Sequence, residues 1–211
     1  MQPQMRSAFC LVATVSAATI GSIAVAHNNE THVSFEPYSV EILQGGLLRA
    51  AGAGIYLGKG FVITAGHVAQ LSGAVRGDGQ VVVVSLIKRG DRGIDLSLLH
   101  GAESNYPPKV QAAHLQLCAK QPAPGTAAVL VTPGRITDTH LVDPSALNPE
   151  SRAKWGTMIA DVETAGRSGS GVFQTDEKCL LGILSALITN NGTQKAIGTF
   201  YVSADTIRGF L

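Results

Sequence analysis

Beyond its opening segment, the chain distributes its apolar residues in short runs that end at Gly, Pro, Asn or Asp. The runs cover Ser39 to Leu43, Ala53 to Leu57, Phe61 to Thr64, Val81 to Ile87, Leu96 to Leu99, Ala127 to Thr132, Met158 to Thr164, Gly171 to Gln174, Leu180 to Ile188 and Ala196 to Val202. Runs of this length with such borders predict β-strands. Their spacing favours a sandwich or a pair of barrels over a βαβ arrangement, so the expected class is all-β. One late helix is predicted, Ala204 to Leu211, with Ser203 placed to cap it. Between Gly101 and Gly125 the pattern lapses around Pro107, Pro108, Pro122 and Pro124. This stretch reads as a crossing between two halves, 27–108 and 109–211, and clefts between such units are where sites tend to form.

The opening segment follows another rule. Arg6 supplies a positive start, Ala8 to Ile20 is apolar, and Ala24-Val25-Ala26 fits a cleavage site of small residues. Residues 1–26 therefore read as a signal peptide, with the mature chain starting at His27. The competing reading is an uncleaved anchor, because residues 7–26 carry no charge and approach bilayer length. The Ala, Ser and Gly content makes the stretch only weakly hydrophobic, which favours cleavage and no membrane contact afterwards. Export changes the meaning of the cysteines. Cys10 falls inside the signal, whereas Cys118 and Cys179 would mature in an oxidising compartment, where a disulfide is expected and two buried thiols are the alternative.

With 211 residues, 45% of them hydrophobic and 15% charged, the chain has the apolar content of a folded protein. A net charge of +1 without a run of like charges gives no footprint for nucleic acid. Asn29-Glu30-Thr31 and Asn191-Gly192-Thr193 match glycosylation acceptors, which matter only in a glycosylating host.

The chemistry concentrates at three places. Ser168 lies in Gly166-Arg167-Ser168-Gly169-Ser170-Gly171, downstream of Gly66-His67 and of Ile94-Asp95-Leu96-Ser97-Leu98-Leu99. A serine hydroxyl is a weak nucleophile near neutral pH and needs a base within hydrogen-bond reach. A histidine supplies that base if a carboxylate fixes its tautomer and stabilises the imidazolium. Chain order limits the folds that qualify. None of His27, His32, His67, His100, His114 and His140 follows Ser168, and Ser170 breaks a G-x-S-x-G motif, so the α/β-hydrolase order is excluded. The subtilisin order needs an Asp before its His, and the first Asp is Asp78. Singly, the three motifs read as a hairpin loop, a solvated turn and a strand-start cap. Their order behind an export signal is what carries weight.

These residues resemble the trypsin-like, chymotrypsin-fold serine peptidases. Phe61-Val62-Ile63-Thr64-Ala65-Gly66-His67-Val68 is similar to the family's strand and turn that deliver the base, and Asp95-Leu96-Ser97-Leu98-Leu99 to its orienting aspartate on a buried strand. Gly166 to Phe173 resembles the nucleophile loop of the bacterial glutamyl-endopeptidase and exfoliative-toxin branch, where Ser-Gly-Ser is common. The resemblance runs from about Gly54 to Leu211 and implies two six-stranded antiparallel β-barrels with a short C-terminal helix. It implies a catalytic set of His67 as base and acid, Asp95 as orienter and Ser168 as nucleophile, and an oxyanion hole from the backbone N–H groups of Gly166 and Ser168. Ser185 would lie beside Asp95, and Ser185, Ala186 and Leu187 would pair with an extended protein or peptide substrate. The mechanism it implies uses no metal and no organic cofactor.

Several positions depart from the family pattern. Arg167 stands where an Asp or Asn usually precedes the nucleophile, so activation by a newly cut N-terminus is not expected. Leu187 falls where many members have Gly at the mouth of the specificity pocket. Glu163 reads either as a wall of that pocket favouring a basic side chain or as an exposed strand-end carboxylate. The leading function is a secreted or periplasmic serine endopeptidase. The alternatives are a catalytically impaired, binding or toxin-like protein of the same fold and an esterase using the same trio. Cleavage preference and oligomeric state are not legible.

Overall fold

The computed structural model describes residues 34–45, 49–70, 72–91, 93–146, 157–160, 167–189 and 196–211. Among the described residues thirteen strands fall into two sheets. The first contains β1 (Ser39–Gln44), β2 (Arg49–Gly58), β3 (Phe61–Thr64), β4 (Ser72–Gly77), β5 (Gln80–Val83), β6 (Ser85–Arg89) and β7 (Ser97–His100). The second contains β8 (Ala127–Thr132), β9 (Arg135–Val142), β10 (Met158–Ile159), β11 (Gly171–Gln174), β12 (Leu180–Thr189) and β13 (Ala196–Ser203). All ladders between these strands are antiparallel.

The second sheet closes as a six-stranded barrel in the order β10-β13-β12-β11-β8-β9. The first runs β5-β4-β1-β2-β3-β7-β6 with seven strands, one more than the expected six. The extra strand arises at Val84, which alone separates β5 from β6 and whose N–H donates to Gly73 O at 3.1 Å. The segment before this bend pairs with β4 and the segment after it with β7. The two edge strands of the ladder are therefore one covalent chain.

The strands nearest the junction of the halves explain why the sequence shows continuous apolar runs instead of strict alternation. On β8, Ala128 and Leu130 face the second barrel's interior cluster, while Val129 and Val131 join a different cluster. That second cluster contains Ile55, Ile63, Leu96 and Leu98 from the first half and Phe173, Ile183, Val202, Ile207 and Phe210 from the second. Val62 and Leu99 point the other way, into the first half's own core with Ile42, Tyr56 and Val75. Strands buried on both faces have no polar side to alternate. The outer strand β9 shows the opposite: Arg135, Ile136, Asp138 and His140 are exposed, and its run carries too little apolar signal to be read as a strand. β4, Ser-Gly-Ala-Val-Arg-Gly, escapes for the same reason. The predicted run Met158 to Thr164 is a strand at Met158–Ile159, and positions 161–164 lie outside the described residues.

The C-terminal helix, Ala204–Phe210, is capped by Ser203, whose Oγ accepts from Thr206 N at 3.3 Å. It buries Ala204, Ile207 and Phe210, spaced on one face, and the last two join the shared cluster. Lys88 on β6 donates to Phe210 O and lies 4.9 Å from the centre of its ring, so the helix also grips the first half. Arg208 Nη2 donates to Cys118 O at 2.8 Å.

Cys118 and Cys179 form a disulfide, tying the crossing segment to the start of β12 beside the Leu117–Leu180 bridge. The bond closes a separation of 61 residues. Replacing both cysteines by Ser should lower stability by about 4 kcal/mol on the chain-entropy account. A urea titration of the folded protein measures this as a lower midpoint, with the slope reporting any change in the unfolded state.

Candidate active site

The pairing of β3 with β7 brings His67 and Asp95 together. Thr64 faces Ser97 across that antiparallel ladder, so the residues leaving β3 and those entering β7 lie at the same end of the sheet. After Thr64 the chain turns through Ala65 into a single helical turn, Gly66–Ala69, which carries His67. Asp95 sits two residues before β7 and spans that turn with both carboxylate oxygens. Oδ1 accepts the backbone N–H of His67 at 2.9 Å, and Oδ2 lies 2.8 Å from His67 Nδ1. An ionised carboxylate only accepts, so this contact requires a proton on Nδ1 and leaves Nε2 as the free acceptor. Gly66 provides the room: a Cβ there would come within 3.0 Å of Asp95 Oδ1. The imidazole is half exposed, 51%, against 27% for the carboxylate, so the ring reaches solvent while its partner is held below it.

Ser168 is carried by the second half. Ser170 N donates to Arg167 O at 3.1 Å, closing a turn in which Gly169 has φ +89°. That sign at the third position is what a type II turn requires of glycine. Three further backbone bonds fix the turn. Gly169 N donates to Leu184 O at 2.8 Å, Leu184 N to Ser170 O at 2.8 Å, and Ala53 N to Ser168 O at 2.9 Å. The last bond reaches across to β2, where Thr64 Oγ1 donates to Ala53 O at 2.6 Å. A side chain at 169 would put its Cβ 1.9 Å from Ala53 O, and one at 52 would come within 2.8 Å of Ser168 O. Gly169→Ala should therefore destabilise by at least about 2 kcal/mol, combining a left-handed backbone with a backbone clash. Chemical denaturation of this variant checks it.

Ser185 joins the two parts. Its Oγ donates to Asp95 Oδ2 at 2.5 Å, so that carboxylate receives three hydrogen bonds, and its carbonyl accepts from Ser168 Oγ at 3.3 Å. Ser185 O is the hydrogen-bond partner of the Ser168 hydroxyl among the described residues; His67 is not. The arrangement is a chain from His67 through the Asp95 carboxylate and Ser185 to Ser168, whose hydroxyl is turned to the Ser185 carbonyl.

The remaining candidates divide. Gly166 and Glu163 lie outside the described residues, and so does Ala165 between them. Ala186 and Leu187 continue β12 past Ser185, paired with Phe200 and Thr199 of β13. Arg167 supplies the turn's acceptor carbonyl. Among the described residues no cluster of His, Cys, Asp and Glu has the makings of a metal site. A hollow of about 630 Å³ bordered by Leu57, Phe61, Leu98, Leu115 and Leu211 lies elsewhere and includes none of the site residues. Gly169, Gly52, Ala53 and Thr64 are positioning residues to which the sequence reading gave no role, although Thr64 and Gly169 lie inside the motifs it quoted. Nothing marks glycine at 52 or 169 apart from the others in a chain with 24 glycines.

No protein-family model matches the sequence, and no curated protein matches it. Solved structures do. The active form of the Rv3671c protease from M. tuberculosis aligns with a TM-score of 0.61 at 18% identity, over 100% of this chain and 92% of that one. An inactive mutant form of Rv3671c from the same organism gives 0.62 at 18% identity, over 87% and 89%. Kallikrein-related peptidase 10 in complex with Zn²⁺ gives 0.63 at 17% identity, over 82% and 92%. The fold is the chymotrypsin fold. Its neighbours are trypsin-like serine proteases, so the chain has a peptidase fold, in which the closed second barrel and bent-strand first sheet are the two halves. In this chymotrypsin-fold chain the residues described above lie at the junction, His67 and Asp95 from one half and Ser168 and Ser185 from the other.

Proposed function

We propose that the protein is an exported serine endopeptidase, similar to the bacterial glutamyl-endopeptidase and exfoliative-toxin branch, that cleaves peptide bonds through Ser168, His67 and Asp95. The observation that carries this reading is the Asp95 carboxylate, which holds His67 Nδ1 at 2.8 Å and is linked through Ser185 to the Ser168 turn. Nothing in a purely structural role calls for a half-exposed imidazole to be held in one tautomer at this junction. The Ser168-Gly169-Ser170 sequence supports the branch, and the disulfide supports maturation in an oxidising compartment, secreted or periplasmic.

In the proposed cycle Ser168 Oγ forms a bond to the substrate carbonyl carbon while its proton passes to His67 Nε2. The carbonyl oxygen becomes an oxyanion, stabilised by the backbone N–H groups of Ser168 and Gly166. His67 then gives its proton to the departing nitrogen as the C–N bond breaks, leaving an ester on Ser168. Water attacks that ester, His67 takes its proton, and the proton returns to Ser168 as the acid product leaves. Asp95 stays ionised throughout and stabilises the imidazolium.

One observation favours the rival, an inactive protein of the same fold that only binds a partner: the Ser168 hydroxyl bonds to Ser185 O instead of His67. A fluorophosphonate probe separates the two. Covalent labelling mapped to Ser168 is the expected result, and an unlabelled protein would establish the rival. Ser170 serves as an internal control. Its hydroxyl is fully buried and makes no hydrogen bond among the described residues, so Ser170→Ala should leave labelling intact.

A further inference from the structure

Two hairpins of the first half close through the same kind of two-residue turn, with φ positive at both positions. Between β4 and β5 the turn is Asp78-Gly79, at +45° and +78°, and between β2 and β3 it is Lys59-Gly60, at +52° and +81°. Such turns favour Asn, Asp or Gly at the first position, where a short polar side chain or none tolerates the left-handed backbone. Asp78 fits that preference and Lys59 does not. The Lys59 turn is also pinned from beneath. Gly60 N donates to Tyr56 Oη at 3.1 Å, while Gly60 O accepts from Gly101 N at 3.0 Å and from Tyr106 Oη at 3.3 Å. Both tyrosines are fully buried, with ring centres 4.8 Å apart. The exposed Lys59 ammonium has no partner among the described residues.

Lys59 stands on the rim of the hollow of about 630 Å³, at the end of β3 opposite His67. The floor is apolar. Phe61, Leu98 and Leu115 contribute to it, together with Leu57, which the register slip between Tyr56 and Gly58 leaves without an opposite residue. A slip of this kind re-aims the residue it contains. Leu98 belongs to the cluster shared by the two halves and the other three pack against it, so the floor is anchored in the core. On the rim with Lys59 are His114 and Glu103, and Glu103 is engaged with the Tyr56 hydroxyl. A concave apolar surface with a few placed polar groups is the usual form of a small-molecule site.

We propose that this hollow binds a molecule with an alkyl body and one carboxylate, of the fatty-acid class. The chain lies along Leu57, Phe61, Leu98 and Leu115, and the carboxylate meets the Lys59 ammonium, with the His114 ring as a second donor. A carboxylate is assigned over a neutral head because the cation is unpaired and its backbone is already fixed, so binding orders little more than the side chain. Lysine in place of Asn, Asp or Gly in the turn then has a reason. The site shares no residue with His67, Asp95, Ser168 or Ser185 and does not depend on the peptidase reading.

The test titrates decanoate into the exported protein by calorimetry, with methyl NMR of the leucines to locate it. Saturable one-to-one binding with shifts at Leu57, Leu98 and Leu115 is expected. Lys59→Gly is the discriminating variant, because glycine adopts the left-handed backbone without a steric penalty and the denaturation midpoint stays equal or rises. Loss of the charge-assisted contact should weaken decanoate at least about tenfold in that variant, and 1-decanol should bind the parent more weakly by a similar factor. Leu211→Asp, at a position 54% exposed, brings a like charge to the hollow and should weaken decanoate with the midpoint unchanged. No saturable binding below about 1 mM would overturn the site. Affinity unchanged in Lys59→Gly or Leu211→Asp, or matched by 1-decanol, would overturn the carboxylate assignment and the proposal with it. A short peptide ending in a free leucine carboxylate that binds more tightly than decanoate would overturn the fatty-acid class.

Discussion

Replacing Ser168 by Ala should lower peptide hydrolysis on the order of 10⁶-fold, the scale on which a triad nucleophile is lost in an analogous protease. The structure makes this a clean experiment. The hydroxyl has one hydrogen bond, at 3.3 Å to Ser185 O, and a partly buried environment, so its removal costs the fold at most about 1 kcal/mol. The turn that carries it is held by backbone bonds to Arg167, Leu184 and Ala53, none of which needs the side chain. A variant with an unchanged denaturation midpoint and background-level turnover is the expected outcome, read from initial rates on a mixed peptide library. Ser170 cannot replace it, since its hydroxyl is enclosed with no route to a substrate. Turnover within tenfold of the parent would show that Ser168 is not the nucleophile.

Much of the frame was legible in the sequence because the strands that build the seam are buried on both faces. Phe61 to Thr64, Ala127 to Thr132 and Gly171 to Gln174 read as apolar runs and are strands with those bounds. The predicted Ser203 cap is made, and the disulfide joins Cys118 and Cys179 as expected. What escaped is structure whose cause lies in tertiary contacts. β9 exposes half of its side chains and β4 is mostly Ser, Gly and Ala, so neither leaves an apolar trace. The break of one strand into β5 and β6 at Val84 reflects a change of partner, from β4 to β7, which no local pattern encodes.

The site divides along the same line. The types and order of His67, Asp95 and Ser168 were visible because the proposed chemistry would constrain them. The conformations around them were not. The sequence drew attention to Gly166 as the glycine whose backbone matters, while among the described residues the constraint falls on Gly169, fixed by a positive φ and by Ala53 O. The bulge at Ser185 is equally silent, since a slip in register depends on which residue of β13 lies opposite.

Asp95→Asn should lower turnover by about 10⁴-fold, the loss found for the equivalent change in a serine-protease triad, and here the direction of the amide can be argued from the hydrogen bonds. The carboxylate accepts a backbone N–H from His67 on Oδ1, and its Oδ2 faces both His67 Nδ1 and the Ser185 hydroxyl. An asparagine has one accepting oxygen and one donating NH₂ group. Placing the NH₂ toward Oδ1's site would set donor against donor, and the backbone N–H of His67 cannot change its character. The oxygen therefore takes that place and the NH₂ faces Nδ1. Facing a donor, Nδ1 becomes the acceptor and the ring's proton moves to Nε2, where it points at the nucleophile and blocks transfer from Ser168. Ser185 Oγ accommodates the change by accepting instead of donating, so the fold persists with the wrong tautomer. The expected readout is a fall in kcat with little change in KM and a denaturation midpoint close to the parent's. Imidazole nitrogen shifts measured by NMR should move the proton from Nδ1 to Nε2, and a ring that keeps its Nδ1 proton in this variant, or a rate within tenfold of the parent, would remove Asp95 from the proposed mechanism.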